Sequence, residues 1–410
     1  MTTTGTNGTE KAEKNAVGLR VWAPAKVNLF FEILFKRDDG FHEIQTVATP
    51  IELCDELEFW LRDAKTGAKI EKTSIVECVD VAGKPVPGVP LDDRNLIIRA
   101  AQAFDEALGE PTPVSIRVVK RIPSQAGLGG GSSDAAATLA ALNELRGRPF
   151  SNELLREIGG RLGSDVPLFL LDGASVGRSR GEIVEPFDLP EIWLVVLKPT
   201  EGLSTPAVFR RYVALPPSPK RSLDAFCAAV STRKPLNGEE NLNKADKEGK
   251  TNEENWRKGE SKLGGEDETS GINRANREDW TNGRNEKNGP DEASKENGAN
   301  GTSPANGEAT ETRAVAAAVG GALFNRLEEV AATIWDGVAR YRALLAATRD
   351  VLGVQMSGSG TAFFAICPSE AAANDAAEAL RRQCVDGETV AVARTLAQTF
   401  CFETLELAAE

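Results

Sequence analysis

The densest chemical signal in the chain is Pro123-Ser124-Gln125-Ala126-Gly127-Leu128-Gly129-Gly130-Gly131-Ser132-Ser133-Asp134. The β-branched run from Val114 to Val119 precedes it and reads as a strand; the alanine-leucine run from Ala135 to Leu142 follows and reads as a helix. The order is therefore strand, glycine loop, helix. Glycine turns sharply, takes positive φ and lets the backbone approach a ligand closely, because no Cβ intervenes. Ser132 or Ser133 is expected to cap the helix, with Asp134 in its first turn. The free amides of a helix start, reinforced by the macrodipole, suit a phosphate. Four glycines in five positions, then two serines, exceed what a tight turn needs, so the loop is read as an anion site. It is not a Walker A loop, since no Gly-Lys-Ser/Thr follows. It is not the dinucleotide fingerprint either, since Ser132 stands at the third glycine position.

A loop that holds nucleotide phosphates makes phosphoryl transfer the expected chemistry. That reaction needs placement, a cation near the moving group and a carboxylate near the attacking hydroxyl. Lys26 follows Ala-Pro-Ala in an apolar strand, where a lysine either snorkels out or faces a polar site. Asp165 sits between Gly163-Ser164 and Val166-Pro167; locally it is equally a helix-cap aspartate. His42 is the only histidine, which excludes mechanisms that need two, including most zinc hydrolase sites. A serine triad through His42 would require a Gly-x-Ser-x-Gly elbow, and Ser357-Gly358-Ser359-Gly360 is only a degenerate match.

The 410 residues, 41% of them hydrophobic, suffice for two or three domains with a real core. A net charge of −13 argues against a general nucleic-acid or anionic-membrane binder, yet leaves room for a local site for a phosphorylated small molecule. The six cysteines are scattered with no Cys-x-x-Cys pair, and read as reduced thiols of a cytoplasmic protein. Residues 1–15 lack the apolar stretch of a signal peptide, and no run is long enough to span a membrane.

The elements that must position these residues follow in order. Residues 1–17 read as a disordered tail. Strands are expected from Leu19 through Leu34 and from Ile44 to Phe59, joined by a turn at Asp39-Gly40, and then a polar segment runs to Val89. Helices are expected over Asn95–Phe104 and Asn152–Gly159, the latter capped by Ser151, and a buried strand over Trp193–Leu197. From Ser231 to Thr312 aliphatic residues nearly vanish, and the stretch reads as a disordered insertion. Order resumes at Ala322, with helices to Ala346, a second glycine loop at Gln355–Thr361, a strand at Ala362–Ile366, a helix at Ala371–Gln383 and a strand at Thr389–Ala393.

In combination, Pro24-Ala25-Lys26-Val27-Asn28-Leu29, Asp39-Gly40-Phe41-His42, Asn95 to Ala101, the glycine loop, Gly163 to Pro167 and Ser357 to Thr361 resemble the GHMP kinases. Within them, the stretches are most similar to the branch that acts on a cytidine-diphosphate-linked methylerythritol in non-mevalonate isoprenoid synthesis. The resemblance implies an α+β, two-domain fold: a ribosomal-protein-S5-like domain over 18–190, then an α/β sandwich over 191–410 carrying the 231–312 insertion. It implies ATP along Pro123–Ser133, with Asn95 and Lys120 near the base or ribose. Lys26 and Asp165 match the catalytic pair. Asn28 holds that geometry, and Phe41, His42, Thr205 and Phe209 match positions gripping the cytidyl group. Mg2+ is implied on the phosphates near Ser133, with Asp134 nearby. A monomer or homodimer acting on a small molecule is expected. Another GHMP kinase, of the mevalonate or homoserine type, and a non-catalytic nucleotide sensor of the same fold are the alternatives. Phe41 stands where tyrosine is common, and Arg326 where an Asn-Asp-Leu-Glu pattern often has its aspartate.

Overall fold

The computed structural model describes residues 17–61, 70–230 and 305–406. The chain divides into two units, Met1–Thr232 with Ala305–Glu410, and Arg233–Pro304. The second unit falls outside the described residues, as do 1–16 of the expected tail over 1–17 and 231–304 of the expected insertion over 231–312; Val17 already opens the first strand.

The first half runs β1 (Val17–Lys36), β2 (His42–Trp60), β3 (Ser74–Asp80), α1 (Leu96–Leu108), β4 (Ser115–Lys120), α2 (Gly130–Leu145), α3 (Asn152–Leu162), α4 (Val166–Phe169), β5 (Ser175–Ser179) and β6 (Ile183–Pro186). Next come β7 (Trp193–Lys198), α5 (Thr205–Val213), α6 (Leu223–Val230), α7 (Ala305–Ala322), β8 (Phe324–Asn325), α8 (Arg326–Ala331) and α9 (Gly337–Ala346). The chain closes with β9 (Gly353–Met356), β10 (Phe363–Cys367), α10 (Glu370–Arg381), β11 (Thr389–Arg394) and β12 (Cys401–Glu406).

Among the described residues these make two sheets. The larger has the order β12-β1-β2-β4-β3, with β5 added beside β2, β6 beside β5, and the short β8 parallel to β1. Strands from both ends of the chain thus share one sheet. The smaller is antiparallel, in the order β11-β7-β10-β9. One core lies where α1, α2 and α3 cover the larger sheet, with Ile97, Phe104, Leu139 and Leu142 meeting Leu57, Phe59, Ile116 and Val118. A second lies between the sheets, where Ala25, Val27 and Leu29 meet Leu194, Val196, Phe364 and Ile366. α9 and α10 seal the far face of the smaller sheet.

Local chemistry sets the boundaries. Asn95 caps α1 by accepting from the Ile97 amide at 3.0 Å, and Gly109 ends it at φ 78°. Ser151 caps α3 as its sequence suggests. The polar segment before Val89 contains β3, paired parallel with β4. The expected insertion ends earlier than Thr312, because α7 begins at Ala305 and buries Ala316 and Val319 between the sheets.

Candidate active site

The site is built outward from β1. Ala25, Val27 and Leu29 face the core between the sheets, so strand alternation turns Lys26 and Asn28 to the opposite face. A register shift between Asn28 and Phe30 reverses the alternation. Phe31 and Ile33 then continue that same face toward α5 and α8. The result is a lysine stem buried in a sheet with its ammonium emerging into a cleft.

Lys26 Nζ donates to Asn28 Oδ1 at 2.6 Å and lies 3.6 Å from Asp165 Oδ2. The Asn28 amide donates to Thr46 Oγ1 at 2.9 Å, and that hydroxyl donates to the Phe30 carbonyl at 2.7 Å. With both ends engaged, the Asn28 side chain has one orientation, and its oxygen is committed to the ammonium. Asp165 precedes the single turn of α4 and makes no capping bond with its side chain, so its carboxylate stays open to the cleft.

The first glycine loop closes over this pair. Gly129 is the N-cap of α2 at φ 74°, and no side chain caps the helix. The serines therefore do not cap it as expected: a left-handed glycine starts the helix several residues before them. The amides of Gly130, Gly131 and Ser132 precede the first intrahelical bond, Ser133 N to Gly129 O at 2.9 Å. A Cβ on Gly129 would come within 3.1 Å of the Lys26 Cγ. Gly127, at φ 73°, touches the second glycine loop so closely that a Cβ would lie 2.0 Å from the Ser357 carbonyl oxygen. The two loops are joined by Ser357 Oγ to Gly127 O at 2.9 Å, Thr361 N to Gln125 O at 3.3 Å and Ala362 N to Ala126 O at 3.0 Å.

These parts border a cleft of about 1030 Å³ lined by Lys26, Asp165, Gln125, Gly127, Gly129, Ser132, Phe41, His42, Thr205 and Phe209, among others. At its far end His42 lies 5.0 Å from the Phe209 ring at 33° and 5.9 Å edge-on from Tyr212. Burial, and then the charge of Lys36, hold the His42 imidazole below its ordinary pKa of 6.5. Its Nε2 is buried without a hydrogen-bond partner. Thr205 Oγ1 and Ser359 Oγ are 2.6 Å apart, tying α5 to the second glycine loop.

The remaining expected residues stand elsewhere. Ala126 and Leu128 are buried between the sheets, and Pro123, Ser124, Gly130, Gly131 and Ser133 are not part of the cleft lining. Asn95 and Lys120, expected near a base or ribose, do not line it either. The Asn95 side chain is spent on the cap and on the Pro90 carbonyl at 2.7 Å. Lys120 bonds Asp55 and, at 2.6 Å, Asp134. Burial pushes the Asp134 carboxyl upward, opposed by Lys120 and helped by Asp55. One cleft residue, and one buried residue that braces the second glycine loop, escaped the sequence reading. Arg180 stands 4.8 Å from the centre of the Phe41 ring, and buried Asn325 donates to both Met356 O and Gly358 O at 2.7 Å. Arg180 had no signal in Gly177-Arg178-Ser179-Arg180-Gly181, a stretch that reads as a surface turn. Asn325 carried the weak signal of an N-cap before Arg326-Leu327-Glu328.

Among the described residues no group of three or more His, Cys, Asp or Glu side chains could hold a metal by itself. The Ser133 hydroxyl is fully buried with no partner, and so is Asp134 Oδ1. An orphaned oxygen pair at the head of α2 fits a cation that arrives with phosphates.

Comparison with known proteins agrees with this geometry. Residues 95–173 match the model for the GHMP kinases N-terminal domain, and residues 312–386 that for the GHMP kinases C-terminal domain. A 4-diphosphocytidyl-2-C-methyl-D-erythritol kinase of Marinobacter nauticus is 43% identical over 188 residues, 46% of this chain and 61% of that one. The chloroplastic/chromoplastic enzyme of that name from Solanum lycopersicum is 37% identical over 200 residues, 47% and 46% of the two chains. The chain thus matches about three fifths or less of the length of these relatives. A crystal structure of 4-(cytidine 5'-diphospho)-2C-methyl-D-erythritol kinase superposes with a TM-score of 0.57 at 27% identity, covering 92% of this chain and 99% of that one. Homoserine kinase from Cytophaga hutchinsonii, at 15% identity and a TM-score of 0.55 over 98% and 100% of the chains, shares the fold. The chain thus matches both GHMP kinase domain models, in order, and shares its fold with GHMP kinases of known structure.

Proposed function

We propose that the protein transfers the γ-phosphoryl group of ATP to the 2-hydroxyl of 4-diphosphocytidyl-2-C-methyl-D-erythritol, releasing ADP and the 2-phosphate. One observation carries the reading. An ammonium and an open carboxylate, 3.6 Å apart, share a cleft with a glycine-initiated helix start and a histidine–phenylalanine pair. The ATP phosphates lie at the start of α2, where Gly129 and Ser132 line the cleft and the amides from Gly130 to Ser132 have no intrahelical acceptor, and the acceptor hydroxyl comes to Asp165. Asp165 accepts the hydroxyl proton, and Lys26, fixed by Asn28, offsets the charge on Asp165 and on the transferring group. Ser133, with Asp134, would hold Mg2+ brought in on the phosphates, where the ion neutralises phosphate charge.

The cytidyl group stacks between the aromatic residues of the far end, Phe41 and Phe209, with His42 neutral and its free Nε2 available to the base edge. This cluster favours the cytidyl acceptor over mevalonate or homoserine, which have no ring to stack. The pairing of Lys26 with Asp165 favours catalysis over a nucleotide-sensing role. The cysteines among the described residues are all unpaired, which supports a reducing, cytoplasmic setting. Phosphorus NMR of the reaction mixture tests the proposal: a new phosphate monoester on the cytidyl compound, formed one for one with ADP, supports it. ATP hydrolysis without that monoester rejects it.

A further inference from the structure

Below the head of α2 lies a buried charge cluster, of which the proposed chemistry uses only the unpartnered Oδ1 of Asp134. Asp55 of β2 is fully buried, and its Oδ1 accepts the amides of Arg121 at 2.5 Å and Ile122 at 2.8 Å. These are the two residues immediately before the glycine loop. Its Oδ2 accepts from Lys120 Nζ, and the same ammonium donates to Asp134 Oδ2 of α2 at 2.6 Å. Gly130, the first residue of α2, packs directly on this cluster: a Cβ there would lie 3.1 Å from Ile122 Cγ2 and 3.6 Å from Asp55 Oδ2.

We propose that Asp55, Lys120 and Asp134 form a latch that ties the two ends of the glycine loop together and so fixes the spacing of the amides that receive phosphate. Asp55 grips the strand side through two backbone amides, and Lys120 carries the connection across to the helix side. The seven residues from Pro123 to Gly129 are thereby closed into a loop with pinned ends. Stability alone does not explain such a cluster. Desolvating three charges is expensive, and apolar side chains of similar volume would serve a core at least as well. What charges add is direction: two acceptors and a three-donor ammonium fix where each loop end sits. Lys120 is thus a positioning residue rather than a nucleotide ligand.

The inference rests on the reading of this loop as the ATP phosphate site, and its test separates the two. Hydrogen–deuterium exchange of the 121–134 segment is measured in the ligand-free protein, and the Kd for ATP and for the cytidyl acceptor by calorimetry, in wild type and Asp55→Asn. Loss of a charge-assisted bond should speed loop exchange and weaken ATP binding by about tenfold or more, leaving acceptor binding within about twofold. Unchanged loop exchange, or an equal rise in exchange throughout the sheet, overturns the latch. If wild type does not bind ATP, the phosphate reading fails, while the exchange result still decides the latch. Should Asp55→Asn not fold, Asp134→Asn, which cuts only the helix side, decides the latch by loop exchange alone, because Asp134 also stands at the proposed Mg2+ site.

Discussion

At the scale of residues, burial separates the roles of Lys26 and Asp165. The lysine side chain is 5% exposed and the aspartate 43%, so the carboxylate is the member of the pair that an acceptor can reach. Asp165→Asn keeps the shape and removes the proton acceptor. It should lower kcat by ~10²–10⁴ while ATP binding, measured by calorimetry, persists; near-normal turnover would reject the assignment. His42 makes a second prediction. His42→Ala should raise KM for the cytidyl acceptor more than for ATP, and an equal rise in both would count against a base-reading role. Because folding lowers the His42 pKa, the unfolded chain takes up the proton first. Stability should therefore decline as pH falls below about 6.5 toward the lowered folded value. Thermal melts across that range should show a shallower decline for His42→Gln. Residue types made the glycine loop and His42 conspicuous in the sequence. The role of Lys26 was ambiguous there, because a lysine in an apolar strand declares its direction only when the neighbouring faces are known.

At the scale of elements, the two glycine loops act as one body because Gly127 lets their backbones touch. Gly127→Ala would force a left-handed alanine, costing at least about 1–2 kcal/mol, and drive its methyl into the Ser357 carbonyl. A lowered Tm together with weaker ATP binding is expected; an unchanged Tm would show that the loops part freely. Arg326 is the second case. Its guanidinium, 5% exposed, donates to fully buried Glu32 at 2.9 and 2.6 Å and holds α8 against β1. Burial alone would raise the Glu32 carboxyl, but Arg326 and the Arg221 amide pull it below its ordinary value. The stability it confers is therefore present above about pH 4.5 and lost as pH falls through the lowered value. Arg326→Met should cost about 3–5 kcal/mol in denaturant unfolding, since it strands a buried carboxylate. Adding Glu32→Gln should recover part of that loss, and strict additivity would contradict the pairing. Arg326 thus has a structural partner in Glu32, 294 residues away in the sequence and beyond the reach of any local pattern. Helix α1 was legible from its spacing and α3 from its cap and spacing, whereas Asn95, the cap of α1, reads by resemblance as a nucleotide contact. β3 was not, because its apolar residues are few and its strand identity comes from pairing with β4. The start of α2 was misjudged because glycine, not serine, supplies its cap.

At the scale of the whole molecule, the ends of the chain meet in one sheet: β12 pairs with β1 from Val17 to Trp22. Composition made both glycine loops and the charged insertion visible, but no local pattern reveals that the last strand completes the first sheet. The insertion boundary is the clearest lesson. Alanine and glutamate in Ala305–Thr312 look like the preceding polar stretch, yet they open α7, whose later turns pack between the sheets. Removing 233–304 and bridging with a short glycine–serine linker should keep Tm and turnover within about twofold, since loop length carries only a logarithmic cost. A deletion extended to Thr312 should lower Tm, and equal stability of the two would contradict a structural role for the start of α7. The central claim, a phosphoryl transfer selected by a cytidyl group, is tested most directly by coupled ADP release from the full chain. The assay offers 4-diphosphocytidyl-2-C-methyl-D-erythritol, mevalonate and homoserine in turn. ADP release with the cytidyl compound alone is the predicted result; release with mevalonate or homoserine instead, or with none of the three, would contradict it.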